Sequence, residues 1–383
     1  MMKRSIAMEL EQKLLAYFQE HEQEIFSDLE KLVACEADTA DIEGLKKVRE
    51  VLKTIIKERV GADAVELGGE NGHSVVHFEQ GAGEQFVALI GHYDTVHPAG
   101  SFRCRREGDR WYAPGVYDMK SGLVSAIWNA KAFKDLGIDP GKKLVFLFNG
   151  DEETGSGESK EPIREHVLGA RAALICEPCI NNGDLKSGRK GGLNFTVTIH
   201  GKAAHAGNAH QLGVNAIEEM AREIQFIHTL TDYDKGTTLN VGVCSGGSKV
   251  NIVPDTAVFQ VDCRVKTFEE MDRVNDAILN YVCTVPGATR EVVSRAPKPP
   301  FMETEDNMAL VRLAQACGDK LDMHFGYQFV GGCSDGNFTS SYGVPTLDSM
   351  GTIGDGAHTP DEFIYVDQYI RRIALLGSVL CGI

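Results

Sequence analysis

Three apolar runs of this chain break off into acidic or imidazole residues, and that pattern limits the fold more than any other feature. FVALIGHYD (86–94) ends in His92 and Asp94, KKLVFLFNGDEE (142–153) in Asp151, Glu152 and Glu153, and ARAALICEP (170–178) closes around Glu177. Branched and aromatic runs without polar alternation read as strands buried on both faces, as in a parallel sheet covered by helices. Between the first two lies SGLVSAIWNAKAFKDLG (121–137), with helical periodicity and a glycine stop. Strands alternating with helices predict βαβ units. Ligands bind such sheets at the carboxyl ends of the strands. The polar termini, together with Asp118 of YDMKSG, are therefore expected to converge.

The texture changes near residue 187. NFTVTIHGKAAHA (194–206) and AVFQVDCRVKT (257–267) alternate apolar and polar residues, as one-sided antiparallel strands do. Helical patterns at 213–230 and 267–285 accompany them, and beyond Pro299–Pro300 the helix–strand alternation resumes. The expected fold is α/β and mostly parallel over residues 1–187 and 299–383, interrupted by an inserted α+β domain at 188–298. Helices are expected at 9–34 and 42–60. The 383 residues suit about two domains at roughly 150 residues each.

Charge removes several classes of function. The net charge of −16 argues against a nucleic-acid binder, which needs a basic face, and against docking on anionic membranes. No apolar run approaches the roughly 18 residues of a membrane span. Lys3 and Arg4 are not followed by the apolar stretch of a signal peptide. With ten cysteines and no dense framework, reduced thiols and a cytoplasmic location are expected. Cys176 and Cys179 form a CxxC around Glu177, but no second pair accompanies them, and packing explains them more simply than redox chemistry. GSGES at 155–159 lacks the lysine of a phosphate loop, and no GxSxG elbow stands in a strand–helix setting.

Clustered carboxylates cannot all stay ionised without a cation among them, and histidine with Asp or Glu suits Zn²⁺. His92 and Asp94 are two apart, so on an extended strand Asp94 can hold the second ring nitrogen of His92. Glu152 and Glu153 are adjacent and point apart. One can bind metal while the other acts as a general base, which is the division that metal-assisted hydrolysis needs. Taken singly, His205 in GKAAHAG and His358 in GDGAHTPDEF read as exposed loop residues.

The order HYD, GVYDMKSG, DEETGSG, CEP, GKAAHAG and GDGAHTPDE resembles the M20 family of metallopeptidases, from about residue 86 to the C-terminus. GGCSDGNFTSSYGVPTLD is most similar to its glutamate-carboxypeptidase branch. The resemblance implies two Zn²⁺ per subunit, with Co²⁺ or Mn²⁺ as substitutes. His92 and Glu177 would hold one, Glu153 and His358 the other, and Asp118 would bridge them. It makes Asp94 the orienter of His92, and Glu152 the general base for attack by metal-bound hydroxide on an amide. It makes His205 the donor to the oxyanion. Asn251 and Arg264 match substrate-binding positions of the inserted domain, which in the family is a lid and a homodimer interface.

The charges agree with two metals. Four positive charges from two Zn²⁺ balance Asp118, Glu153, Glu177 and one hydroxide, whereas a single zinc leaves the site negative. Glu177 resembles the carboxypeptidase and deacylase members, where aminopeptidases and dipeptidases more typically have Asp. The implied function is release of a C-terminal amino acid, glutamate first, from a peptide or N-acyl conjugate. The alternative is an N-acyl-amino-acid deacylase of the aminoacylase or desuccinylase type. In SRAPKPPF the family's carboxylate-binding arginine matches Lys298 more closely than Arg295, and lysine cannot supply the same two-pronged fork.

Overall fold

The computed structural model describes residues 9–383, so Lys3 and Arg4 lie outside the described residues. The chain divides into two compact units. One comprises residues up to Gly188, Glu303–Val330 and Ser334–Ile383; the other comprises Arg189–Met302 and Gly331–Cys333.

The first unit is built on a six-stranded sheet in the order Val65–Leu67, Val75–Gln80, Lys143–Asn149, Phe86–His92, Ala172–Ile175, Thr346–Leu347. The last four strands are parallel, and the first two join antiparallel at one edge. In Phe86–His92 and Lys143–Asn149 every residue after the first is buried. Alternate side chains serve opposite faces. Val87, Leu89, Phe146 and Phe148 pack with the helices Leu10–Glu20, Glu22–Val33, Ile42–Arg59, Ser121–Leu136 and Val366–Gly382. Ala88, Ile90, Val145 and Leu147 pack with the helix Lys160–Val167. Both faces are dry, which is why these strands read as continuous apolar runs.

Register aligns the carboxyl ends. His92 pairs with Asn149 and Ile90 with Ile175, so Glu177 continues level with His92. The helix Ser121–Leu136 begins against the third strand end. A Cβ on Gly122 would collide with the carbonyl oxygen of Cys176, next to Glu177.

The second unit has a four-stranded antiparallel sheet in the order Thr238–Gly246, Thr256–Val265, Gly191–His200, Thr289–Ser294. Phe195, Val197 and Ile199 alternate with more exposed residues and share a core with Phe259, Val261 and the helices Ala216–Thr229 and Phe268–Leu279. Asn215 and Thr267 cap these helices through their side-chain oxygens.

Three elements differ from the sequence expectation. The helix expected at 267–285 stops at Leu279, because the amides of Thr284 and Val285 donate to the Glu219 carboxylate instead of continuing the turn, at 2.9 and 2.5 Å. The stretch expected as one helix at 9–34 breaks at His21, whose ψ of 12° leaves the helical range. The second unit runs past Pro299–Pro300, since Lys298 and Phe301 still pair with Gly192 and Arg189.

Gly122→Ala is expected to lower the unfolding free energy by about 1–3 kcal/mol through overpacking against the Cys176 carbonyl. Urea denaturation followed by circular dichroism measures this.

Candidate metal centre

His92, Glu153 and Glu177 stand at or just after the ends of buried strands, whereas Asp118 and His358 come from a turn and a loop. His92 is the last residue of its strand. Its Nδ1 lies 3.1 Å from the Asp94 carbonyl oxygen and 3.3 Å from Asp94 Oδ1, so the proton on this nitrogen faces Asp94. Its Nε2 faces Asp118 Oδ1 at 3.2 Å and Glu177 Oε1 at 3.4 Å. Asp94 is itself fixed: its Oδ2 accepts from the Thr39 hydroxyl at 2.8 Å and from the Glu153 amide at 3.2 Å.

Asp118 sits on the irregular turn Val116–Lys120, just before the helix. Its second oxygen, Oδ2, is 3.6 Å from His358 Nε2, which in turn is 3.1 Å from Glu153 Oε2. His358 occupies a left-handed conformation, φ 64°, in the loop between Gly354–Asp355 and Phe363–Tyr365. Asp118 is thus shared by two half-sites, one with His92 and Glu177, the other with His358 and Glu153. Ligand atoms of His92, Asp118 and Glu153 lie within 4.8 Å of one another, as do those of His92, Glu152 and Glu177.

The electrostatics are those of a cation site. Burial opposes charge on His92, yet its bonds to Asp118, Asp94 and Glu177 hold its pKa well above the ordinary value. Bonds to Asp118 and Glu153 push His358 up to about 10. Burial pulls Asp118 upward, but the two imidazoles hold it well below the usual carboxylate range. Burial raises Glu153. Protons on the imidazoles here balance carboxylates that a divalent ion would balance better. The donors are imidazole nitrogen and carboxylate oxygen, with Asp94 bracing the far side of His92, and this set fits Zn²⁺, Co²⁺ or Mn²⁺. Cys176 and Cys179 belong to neither group; both are buried free thiols whose pKa burial raises, which makes them poor nucleophiles.

His205, Asn251, Arg264 and Lys298 all lie in the second unit. A two-residue ladder pairs Ala204–His205 with Ile252–Val253, and the Ala206 amide donates to the Asn251 carbonyl, which brings His205 beside Asn251. His205 is exposed. Its Nδ1 accepts from the amides of Gly207 and Asn208, both at 3.1 Å, so the ring proton sits on Nε2 and faces outward as a donor. Arg264 lies opposite Gly192 on one side, and Lys298 opposite Gly192 on the other. Directly opposed residues share a face. The two cationic residues therefore flank a position without a side chain. Arg264 Nε is held by Asp262 Oδ2 at 3.0 Å.

Sequence reasoning missed Thr39, which meets Asp94 from 55 residues away. It also missed Lys186, whose Nζ is 4.0 Å from Glu177 Oε2. Neither stands in a motif that announces it.

Comparison with known proteins agrees with this geometry. The pattern that describes Peptidase family M20/M25/M40 matches residues 88–381. Carboxypeptidase G2 of Pseudomonas sp. (strain RS-16) is 30% identical, over 93% of this chain and 88% of its own length. The succinyl-diaminopimelate desuccinylase of Wolinella succinogenes is 25% identical, over 82% and 87%. Two solved structures share the fold: a tripeptidase from Staphylococcus aureus (TM-score 0.78, 23% identity, 94% of this chain and 96% of that one), and an M20 family metallo-carboxypeptidase from Sulfolobus solfataricus (0.75, 19%, 94% and 98%). A metal-ligand cluster at the carboxyl end of a mainly parallel sheet, an inserted α+β unit and these matches lead to one conclusion: the chain belongs to the M20/M25/M40 peptidase family.

Proposed function

We propose that this protein is a dinuclear zinc amide hydrolase that releases a C-terminal amino acid, glutamate first, from a peptide or N-acyl conjugate. The observation that carries this reading is the division of Asp118, one oxygen toward His92 and the other toward His358, at 3.2 and 3.6 Å. His92, Glu177 and Asp118 would hold one cation, and His358, Glu153 and Asp118 the other. When bound, the pair supplies Lewis acidity to the scissile carbonyl and acidifies a water.

The remaining work falls to side chains. Glu152 takes the proton of the attacking water and delivers it to the leaving amine. Asp94 holds His92 in the tautomer that presents Nε2. His205 donates from Nε2 to the oxygen that gains charge. Asn251 binds the substrate carbonyl or carboxylate. Arg264 and Lys298, across Gly192, bind the carboxylate of the released amino acid.

The likeness to carboxypeptidase G2 supports cleavage at the C-terminal side of the substrate. The likeness to desuccinylases supports the second reading, an N-acyl-amino-acid deacylase with the same ligands. We assign the first unit as the catalytic domain, and the second as a lid through which two copies pair. Its strand Thr238–Gly246 is a sheet edge with Val243 exposed, a surface that a second strand can extend. No helix of the described residues is long and apolar enough to cross a membrane; we place the protein in the cytoplasm.

Three measurements test the proposal. Zn²⁺-loaded protein offered peptides and aroyl amides ending in Glu, beside N-acetyl and N-succinyl amino acids, is expected to release glutamate from the larger amides preferentially. Preference for the small acyl groups would establish the deacylase reading instead. Glu152→Gln is expected to lower kcat by about 10²–10⁴-fold with cations retained, and unchanged turnover would refute its role as base. Because ligation needs neutral imidazoles while His358 and His92 are held protonated in the metal-free site, Zn²⁺ uptake at pH 7.5 is expected to release about two protons from them and up to about one more from the acidified water. Calorimetry in buffers of different ionisation enthalpy counts them.

A further inference from the structure

Glu362 is 1% exposed, and its carboxylate is fully engaged. Its Oε1 accepts from the amides of Tyr117 and Asp118 at 2.8 and 3.0 Å. Its Oε2 accepts from the amide of Gly115 at 3.2 Å and from His97 Nε2 at 2.7 Å. The three amides belong to the turn that carries Asp118. Glu362 itself lies four residues after His358, in the same loop, where its own amide closes a turn onto the Thr359 carbonyl. One buried carboxylate therefore ties together two segments more than two hundred residues apart in sequence, each bearing a ligand of the same half-site. The tie fixes the backbone of Asp118 relative to His358, whose side chains approach to 3.6 Å. Nothing comparable is needed at His92 and Glu177, since His92 ends one strand and Glu177 follows its paired neighbour by two residues.

We propose that Glu362, braced by His97, is a positioning residue for the second cation. It sets the spacing between Asp118 and His358, and so decides whether the half-site of His358 and Glu153 fills beside that of His92 and Glu177. This rests on the dinuclear reading above. A carboxylate suits the task because each of its two oxygens accepts two bonds. A glutamine offers one acceptor oxygen, so it can serve Tyr117 and Asp118, or Gly115 and His97, and turns an N–H toward the other pair.

The test is Co²⁺ binding, followed by visible absorption and calorimetry, on the full chain and on Glu362→Gln. The parent is expected to take up two equivalents. In Glu362→Gln the second equivalent is expected to bind about 10–100-fold more weakly, with a changed ligand-field spectrum, and the first to weaken by a smaller factor, because Asp118 is shared while His92 and Glu177 are not displaced. The loss is expected to vanish when Glu362→Gln is made in an Asp118→Asn background, because a residue that acts through Asp118 has nothing left to position. A role in folding alone would persist there. His97→Phe, which removes one donor and keeps the bulk, is expected to move the second equivalent the same way by a smaller factor, and serves if Glu362→Gln does not fold. Two equivalents bound with parental affinity and spectrum in the folded variant would overturn the proposal, as would a loss undiminished by Asp118→Asn. A parent that takes up a single equivalent would refute the dinuclear reading. Glu362 would then be judged on that one: a loss abolished by Asp118→Asn would uphold its positioning of Asp118, and unchanged affinity would overturn it.

Discussion

Mutual repulsion among Asp118, Glu152, Glu153 and Glu177 is the constraint around which the first unit is arranged. Carboxylates gathered in a buried place resist being held there. The fold holds them by mounting them on elements that cannot easily move apart. Phe86–His92, Lys143–Asn149 and Ala172–Ile175 are locked in parallel register, with apolar side chains packed on both faces. Their ends arrive level, so proximity of Glu152, Glu153 and Glu177 to His92 follows from the register, while Asp118 is brought in by its own turn. The imidazoles of His92 and His358 supply what positive charge the chain itself can place among them, and Lys186 adds an ammonium beside Glu177.

Around this cluster runs a layer of groups that bind nothing themselves but restrict what does. Thr39 and the Glu153 amide hold Asp94, which faces His92. Glu362 and His97 hold the Asp118 turn. Most of these bonds join residues distant in sequence. They bring into the site the N-terminal segment, through Thr39, and the loop before the last helix, through Glu362. Through Thr39 the site is thereby sensitive to a segment that carries none of the candidate ligands.

Much of this was legible in the sequence, for a physical reason. A strand buried on both faces must be apolar until it emerges, so the first polar residues after each run mark where it emerges. His92, Asp94, Glu152, Glu153 and Glu177 announced themselves in that way. The antiparallel strand Val75–Gln80 did not, because VVHFEQ is short and alternates over only the four residues Val76–Glu79. The helix end at Leu279 was hidden for a different reason: it depends on Glu219, sixty residues away, capturing the amides of Thr284 and Val285. Glu362 stands within GDGAHTPDEF, four residues after His358. Three of its four partners are backbone amides, and backbone amides have no sequence signature. Thr39 and Lys186 meet side chains, Asp94 and Glu177, but pairwise contacts across a fold leave no local pattern either.

The pairing at the limits of the second unit has a consequence for how such a chain can change. Arg189 bridges to Phe301, and Gly192 exchanges both backbone bonds with Lys298, so the segment begins and ends side by side. Neighbouring strands lie about 5 Å apart. Removing or exchanging nearly everything between these residues would leave a gap that a tight turn can close. Evolution can therefore treat the segment as a cassette, exchanging it while the candidate cation ligands, on strand ends, a turn and a loop of the first unit, stay outside it.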